Sequence, residues 1–266
     1  MAHIFCIANQ KGGVGKTTTS VNLAAGLAVQ KQRVLLVDLD PQGNASMGSG
    51  IDKQKLEISI YQTILGLANI RDAKQRSQIG NYDVLPACRD LAGAEIELVG
   101  LENREHCLKK ALAEVDQSYD FILIDCPPAL SLLTLNGLCA AHGVIVPMLC
   151  EYFALEGLSD LVDTIKQVHA NLNPQLQVIG LLRVMFDTRV TLQQQVSAQL
   201  IKHFGNKVFD TIIPRNVRLA EAPSYGLPGV NFDPSSRGAR AYIEFAKEMV
   251  ARVNAHPATA ISNNPL

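Results

Sequence analysis

The segment Asn9–Thr18 constrains the fold of this chain more than any other stretch. Its letters are NQKGGVGKTT, and it follows the short apolar run His3–Ala8. Glycines let the backbone turn tightly, so that successive N–H groups can point at the same anion. A helix that begins at such a turn adds the positive end of its dipole. The segment therefore predicts a phosphate-binding loop between a strand and a helix.

The residues of this loop have separate expected roles. Those expected to bind the phosphates are Gly12, Gly13, Val14, Gly15, Lys16, Thr17 and Thr18. We expect Lys16 to act on the terminal phosphates and the Thr17 hydroxyl to hold Mg²⁺. The match to the pattern GxxxxGK[ST] is incomplete, because Gln10 stands where the pattern has its first glycine. A tight turn without a ligand is the alternative, and the flanking strand and helix disfavour it.

Two later predicted strands end in carboxylates. Arg33–Asp38 and Tyr119–Asp125 are short and mostly apolar, which is typical of strands buried on both faces. We expect Asp125 to hold Mg²⁺ through water, and Asp40 to lie near the metal and to position the attacking water. Asp38 alternates with the apolar strand residues and could be structural. Asp40 could instead cap the following helix.

Strands and helices alternate along most of the chain. Further predicted strands are Tyr82–Pro86, Gly143–Leu149 and Gln177–Met185. Predicted helices are Thr17–Gln30, Asp90–Gly100, Glu102–Val115, Ala154–Ala170, Leu192–Phe204, Val217–Tyr225 and Arg237–Val253. This order predicts a single α/β domain over residues 1–254, with a mostly parallel sheet and helices on both faces. Ligands bind at the carboxyl ends of the strands in such a fold. Residues 255–266 are polar and contain prolines, which predicts a disordered tail.

The composition bounds the class of protein without identifying a partner. The chain has 266 residues, of which 47% are hydrophobic and 18% charged, as in ordinary soluble globular proteins. The formal net charge is −1, but residues 183–252 contain ten Lys and Arg against six Asp and Glu. That region therefore carries +4 and the remainder −5. The basic region could contact nucleic acid or could simply be a solvated face.

Cysteine spacing and hydropathy indicate a reduced, cytoplasmic protein. The six cysteines are scattered and form no CxxC pair. No basic segment and long apolar stretch precede the first strand, as a secretory signal would require. No uninterrupted apolar run reaches the length needed to span a membrane. We therefore expect no membrane partner.

Lys11 adds a charge that the ordinary phosphate-loop pattern does not require. The sequence KGGVGKT resembles the deviant Walker A motif of the partition, septum-positioning and nitrogenase-reductase ATPases. With DLDPQGNAS, DCPP and PRNVRLAEAPSYG, it makes the chain similar to the ParA/Soj partition ATPases from about Ala2 to Val253. The resemblance implies a P-loop NTPase fold with ATP and Mg²⁺ as cofactors. Because the first strand begins at once, the chain resembles the short members without an operator-binding domain.

The resemblance also implies an activity. Members form an ATP-bound sandwich homodimer that binds double-stranded DNA without sequence preference, which would make this protein nucleoid-associated. A ParB-type centromere-binding partner stimulates hydrolysis and releases the dimer. Lys11 would reach the nucleotide of the other protomer and act in catalysis, and Gly12 would lie near the dyad. An exposed lysine without this role is the alternative.

The same resemblance implies further contacts downstream. Arg189, in FDTR, and Arg218, in PRNVRL, match DNA-contacting positions, and salt-bridged surface arginines are the alternative. The residues matched to the adenine and ribose are Pro214, Arg215 and Asn216. Arg183 departs from the usual family pattern. It could extend the basic surface or pair with a carboxylate.

Three other functions share the phosphate loop. A membrane-bound septum-positioning ATPase should end in a basic amphipathic helix, whereas the last predicted helix contains Glu244 and Glu248. An iron–sulfur reductase needs paired cysteines near the dimer axis, and Cys126 has no obvious companion. A metabolic enzyme, such as a dethiobiotin-synthetase-like protein, needs a second substrate pocket. The sequence does not reveal such a pocket.

Overall fold

The computed structural model describes residues 1–152 and 154–255, so the predicted tail lies almost wholly outside the described residues. The strands are β1 His3–Ile7, β2 Val34–Asp38, β3 Gln75–Ser77, β4 Tyr82–Leu85, β5 Phe121–Asp125, β6 Gly143–Met148, β7 Gln177–Phe186 and β8 Val208–Pro214. The first helices are α1 Lys16–Val29, α2 Asn44–Gly48, α3 Ile60–Ile64, α4 Ile70–Ala73, α5 Leu91–Leu98 and α6 Cys107–Ala113. The later helices are α7 Leu132–Ala140, α8 Ala154–Asn171, α9 Thr191–Phe204, α10 Val217–Glu221, α11 Gly229–Phe232 and α12 Arg237–Ala255.

The strands form one sheet in the order β3-β4-β2-β5-β1-β6-β7-β8. Every neighbouring pair is parallel except β3 and β4, which pair antiparallel at the edge. The predicted fold class, a mostly parallel α/β sheet, is thereby confirmed. None of the described helices is long and apolar enough to cross a lipid bilayer.

Side chains from the two faces of the sheet enter two hydrophobic cores. Leu35 and Val37 of β2 belong to one core, and Val34 and Leu36 belong to the other. Helices α1 and α12 cover the second face, while α7 and α8 contribute to the first. Successive side chains of a strand point to opposite faces of the sheet, and here both faces are covered. This explains why β2 and β5 are almost continuously apolar. The helices therefore lie on both faces of the sheet.

The sheet register brings three strand ends together. Ile7 of β1 and Asp38 of β2 both pair with Asp125 of β5, which lies between them. The residues that follow β1 form the phosphate-loop segment, and those that follow β2 contain Asp40. Because parallel strands end at the same edge, the loop and the three aspartates share one edge of the sheet.

Several elements lie where the sequence analysis predicted none: β3, β8, α2, α3, α4, α7 and α11. Most are single turns, but α7 has nine residues. Its residues are mostly buried, so it lacks the polar face that reveals an amphipathic helix. In β8 the exposed Asp210 interrupts an apolar run, which concealed the strand.

Two predicted helices begin or end elsewhere. The helix predicted over Glu102–Val115 starts only at Cys107, because Asn103 has a left-handed backbone with φ 52°. The helix predicted over Val217–Tyr225 is α-helical only to Glu221 and continues as a 3₁₀ turn. Pro223 has no N–H group to continue the α-helical ladder.

Arg183 takes neither of the roles left open for it. Its side chain is buried, and its guanidinium donates to Ser197 Oγ and to the carbonyl oxygens of Phe209 and Asp210 at 2.7–3.2 Å. Burial lowers the pKa of this guanidinium. Arg183 therefore ties β7 to β8 and α9 and adds no charge to the surface.

Gly26 gives a test of the packing between α1 and α12. A Cβ at this position would lie 3.0 Å from Ala246 Cβ and 3.1 Å from Tyr242 O. Gly26→Val should therefore lower the free energy of unfolding by about 1–3 kcal/mol, measured by urea denaturation. Gly157→Val is the matched control, since nothing lies within 4 Å of that Cβ position in α8. Equal stability of the two variants would contradict the close helix contact.

Candidate functional site

The phosphate-loop segment has the backbone that its glycines predict. Gly13 and Gly15 have left-handed conformations, with φ 72° and 76°, which favour glycine. Helix α1 begins directly after Gly15, and Thr19 N donates to Gly15 O at 2.9 Å. Val14 is buried beneath the loop, whereas a Cβ on Gly12 would meet nothing within 4 Å. The fold of one protomer therefore does not require glycine at position 12.

The ammonium group of Lys16 lies within this loop. Lys16 is 7% exposed, and its Nζ donates to Lys11 O at 3.2 Å. Burial lowers the pKa of Lys16, while Asp125 and Asp40 act in the opposite direction. A buried ammonium in a glycine-rich loop at the N-terminus of a helix favours an anionic ligand such as a phosphate.

Asp125 is fixed by two hydroxyl groups of α1. Thr17 Oγ1 donates to Asp125 Oδ2 and Ser20 Oγ contacts Asp125 Oδ1, both at 2.8 Å. Thr17 and Ser20 are three residues apart and so lie on one face of the helix. Thr17 and Asp125 thus place a hydroxyl oxygen and a carboxylate oxygen side by side, and oxygen atoms are the ligands that Mg²⁺ prefers. The sequence analysis missed Ser20, although its spacing from Thr17 could have indicated it.

Asp38 closes the loop that contains Asp40. Asp38 Oδ2 accepts from both the N–H and the hydroxyl of Ser46 at 2.7 Å, and Asp38 Oδ1 accepts from Asp40 N at 3.2 Å. Ser46 Oγ also accepts from Ala87 N at 2.9 Å. The two ends of the loop are therefore held by one buried carboxylate. This is the structural role left open for Asp38, and Ser46 was not foreseen.

Burial raises the pKa of both strand-end aspartates. Both side chains are 0% exposed. Desolvation, together with the neighbouring charge of Asp38, raises the pKa of Asp125 to about 7 against the hydrogen bonds from Ser20 and Thr17. Desolvation likewise raises the pKa of Asp38 to about 6, against the hydrogen bonds from Ser46. Adjacent, register-paired carboxylates thus resist double ionisation without a nearby cation.

Asp40 lies one step outside this pair and is partly exposed. Its Oδ1 accepts from Gln42 N at 2.9 Å, and its carbonyl oxygen accepts from Gly43 N at 2.8 Å. Gly43 is left-handed with φ 61°, and a Cβ there would lie 2.6 Å from Ala87 O. A tight turn packed on Ala87 therefore holds the Asp40 carboxylate at the sheet edge. Asp40 does not cap α2, since Gly43 precedes that helix.

Lys11 lies on the surface of the loop and forms an ion pair. Its Nζ lies 2.7 Å from Glu151 Oε2, and the two side chains are 54% and 51% exposed. The backbone N–H of Lys11 donates a hydrogen bond to Asn9 Oδ1 at 3.0 Å. Glu151 follows β6 and was not foreseen from the sequence. An exposed pair of this kind contributes only about 0–1 kcal/mol, so another anion can replace Glu151.

Arg189 and Arg218 follow the neighbouring strands β7 and β8 at the same edge of the sheet. Arg189 binds Asp187 through two nitrogens, at 2.9 and 2.7 Å. Arg218 lies 2.8 Å from Glu221 and 3.5 Å from Asp233. Their side chains are 88% and 55% exposed. Both arginines are thus accessible and paired with acids of their own chain.

Two of the cavities lined by the described residues differ in their distance from the phosphate loop. The smaller, of about 220 Å³, lies beside Thr17 and Thr18 and is also lined by Val21, Met47 and Leu219. The larger, of about 700 Å³, lies between the α3–α4 connection and α6, and none of the predicted site residues lines it. The segment Pro214, Arg215 and Asn216 lies at the end of β8, where the Asn216 side chain caps α10 by accepting from Arg218 N.

The raised pKa values of Asp38 and Asp125 predict how stability depends on pH without Mg²⁺. A raised pKa means that the folded protein holds these protons more tightly than the unfolded chain. Their contribution to stability is full below the ordinary aspartate pKa and is lost as pH rises through about 6 to about 7. From about pH 5 to about pH 8, the unchanged protein should therefore lose more stability than Asp125→Asn loses. The two losses should differ by more than about 1 kcal/mol.

Urea denaturation in EDTA at these two pH values measures this difference. Asp72→Asn, an exposed position on α4, is the control and should follow the unchanged protein. Parallel pH dependence of Asp125→Asn and the unchanged protein would contradict the buried carboxylate pair.

Comparison with known proteins agrees with this geometry. Residues 2–178 match the family described as an AAA domain. The chain is 53% identical over 251 residues to the sporulation initiation inhibitor protein Soj of Bacillus subtilis, covering 94% of this chain and 99% of that protein. It is 50% identical over 252 residues to the chromosome-partitioning ATPase Soj of Treponema pallidum, covering 95% and 98%.

A solved structure also resembles the whole chain. It is the cobyrinic acid a,c-diamide synthase of Mycobacterium smegmatis with bound ADP and magnesium, with 40% identity and a TM-score of 0.84. The match covers 96% of each chain. That protein bears the name of a small-molecule enzyme, whereas the two sequence relatives above are more similar and nearly equal in length. On these matches and the phosphate-loop geometry, the chain belongs to the ParA/Soj-type family of partition ATPases.

Proposed function

We propose that this protein is an ATP-dependent DNA-partition switch for a chromosome or a plasmid. Its ATP-bound sandwich dimer binds DNA non-specifically and leaves it after hydrolysis that a ParB-type centromere-binding partner stimulates. The observation that carries the proposal is the shared sheet edge. Arg189 and Arg218 follow β7 and β8 at the edge where the phosphate loop follows β1. One edge can therefore bind both the nucleotide and an anionic polymer.

The loop and its neighbours fit ATP and Mg²⁺. Loop N–H groups and Lys16 would bind the phosphates, and Thr17 with Asp125 would hold the metal, Asp125 through water. A solved relative that is 40% identical contains ADP and magnesium. When bound, the metal neutralises phosphate charge. A cation at this place would also relieve the repulsion between Asp38 and Asp125.

Asp40 is the residue proposed to act on the attacking water. Its carboxylate lies beyond the buried pair, is partly exposed, and is held by the tight turn at Gly43. A fixed carboxylate can orient a water molecule and accept its hydrogen bond. Lys11 would stabilise charge on the transferred phosphoryl group of the other protomer, which its exposure permits.

A second copy of the chain is the proposed cover for this edge. Several apolar side chains on the segments that follow the strands there are more than half exposed: Leu130, Tyr152, Val217 and Tyr225. Exposed apolar side chains around a charged centre are typical of interaction surfaces. A facing protomer that approaches closely would also explain the glycine at position 12, because a side chain there would obstruct the approach.

The arginines are proposed to bind DNA through its phosphates. Contacts of this kind need accessible positive charge and no base readout. Asp187 and Glu221 hold the two guanidinium groups in exposed pairs, which DNA phosphates can replace. Such binding would place this cytoplasmic protein on the nucleoid. It should also weaken steeply as the salt concentration rises.

The arginine assignment predicts a selective loss of DNA binding. Fluorescence anisotropy of a random-sequence duplex, titrated with protein, Mg²⁺ and either ATP or ADP, should show binding with ATP only. Higher salt should weaken it. Arg189→Glu or Arg218→Glu should reduce affinity by about tenfold or more on any sequence, because each exchanges an attraction to phosphate for a repulsion.

Arg33→Glu is the matched control. Arg33 is 59% exposed and pairs with Asp120 at 2.7 Å, but it precedes β2 at the opposite edge of the sheet. It should bind DNA as the unchanged protein does. ATP-dependent dimerisation, followed by light scattering, should persist in all three variants. Binding that is absent with both nucleotides, in protein that binds ATP, would refute the partition function and favour a small-molecule substrate.

Asp40→Ala should separate binding from hydrolysis. The variant should bind ATP and dimerise, while steady-state phosphate release falls by about 10²-fold or more. Asp52→Ala provides a control, since Asp52 is an exposed carboxylate that pairs with Lys55. Phosphate release by Asp40→Ala at the rate of the unchanged protein would remove Asp40 from the mechanism.

A further inference from the structure

Met185 has an unusual backbone conformation near the end of β7. Its φ is 51°, in the left-handed region that residues with a Cβ rarely adopt. The register between β7 and β8 is irregular between Arg183 and Phe186, on either side of this residue. Strained residues of this kind persist where the surrounding structure requires them, and they concentrate at functional sites.

The side chain of Met185 lies against the phosphate loop. A Cβ on Gly15 would be 3.6 Å from Met185 Cε and 3.8 Å from Val184 Cγ2. Gly15 directly precedes Lys16, the residue expected to bind the terminal phosphates. The end of β7 therefore lies next to the loop that the nucleotide would occupy, with room for no more than a side chain's first atom between Gly15 and Met185.

The residue after Met185 contacts the other segment expected to bind the nucleotide. Arg215 N donates to Phe186 O at 3.4 Å, which links β7 to the Pro214–Asn216 segment. Asp187 follows at once, and its N–H donates to Gln193 Oε1 at 2.7 Å. The Asp187 carboxylate binds Arg189. Both nucleotide segments thus meet β7 directly before the loop that contains Arg189.

We infer that Met185 couples nucleotide binding at the phosphate loop to the conformation of the Asp187–Arg189 loop. This inference rests on the proposed function, because it explains how ATP would control an arginine that binds DNA. Met185 is a positioning residue: its side chain lies beside Gly15, and it acts through Arg189. Lys16 Nζ donates to Lys11 O within the loop, and phosphates compete for this ammonium. The rearranged loop then moves Met185, and the backbone of β7 transmits the movement.

Hydrogen exchange measures this coupling without DNA. Protein with Mg²⁺ is followed by mass spectrometry over residues 186–192, with and without saturating ATPγS. In the unchanged protein, ATPγS should slow exchange in this segment. In Met185→Gly, which removes the side chain beside Gly15 and suits a left-handed backbone, the ATPγS effect should fall by about tenfold. Met185→Leu keeps the bulk of the side chain and should retain most of the effect.

Lys31→Gly is the control for the effect of placing glycine at a left-handed position. Lys31 is also left-handed, with φ 62°, but it follows α1 at the end remote from the loop. It should respond to ATPγS as the unchanged protein does. An ATPγS effect of full size in Met185→Gly, or none in the unchanged protein, would overturn the coupling.

DNA anisotropy on the same variants separates this inference from the proposed function. In the unchanged protein, the DNA affinity with ATP should exceed the DNA affinity with ADP. In Met185→Gly, the ratio of these two affinities should be about tenfold smaller. A full preference in Met185→Gly would refute the coupling and leave the partition function standing. Absence of DNA binding by the unchanged protein would refute the partition function, while the exchange experiment would still decide whether Met185 couples the two loops.

Discussion

The carboxylate of Asp125 is the constraint on which the rest of this site depends. It ends the central strand β5 and accepts hydrogen bonds from Thr17 and Ser20, so it fixes the first turn of α1 against the sheet. That turn positions Gly15 and Lys16, and therefore the phosphate loop. The same carboxylate pairs with Asp38 in register; burial raises the pKa of both aspartates, and the charge of Asp38 contributes to the raised pKa of Asp125. Repulsion between the carboxylates of Asp38 and Asp125 favours the binding of a divalent cation, because the cation offsets their negative charge.

Three surface cations around this centre share one arrangement. Lys11 is paired with Glu151, Arg189 with Asp187, and Arg218 with Glu221, each in an exposed ion pair. Exposed pairs contribute little to stability, so a phosphate group can replace the carboxylate at small cost. The acids keep the side chains of these cations ordered before any ligand arrives. This arrangement is compatible with the proposed exchange of contacts with nucleotide, partner and DNA.

Several contacts connect the loops that follow the strands at this edge of the sheet. The buried Asp38–Ser46 hydrogen bonds join the Asp40 loop to Ala87 after β4, and Met185 joins the phosphate loop to the Arg189 loop. Both links are short and depend on close packing, so small displacements cannot be absorbed locally. Arg183 adds a buried connection between β7 and β8, with its guanidinium bonded to the carbonyl oxygens of Phe209 and Asp210. The edge that contains the site thus behaves as one packed unit.

The sequence by itself determined the phosphate loop, the buried strands β2 and β5 and the alternating α/β order, because these features have strong local signals. Glycine spacing, apolar runs and strand-end aspartates can each be read within about ten residues. Other features were decided only by tertiary structure. Ser20, Ser46 and Glu151 are ordinary polar residues in sequence, and their roles arise from partners 105, 8 and 140 positions away. Strand β8 and helix α7 were missed because an edge strand and a buried helix lack clear periodicity. The left-handed backbone of Met185 likewise has no sequence signal, since nothing in the run around it marks a residue with positive φ.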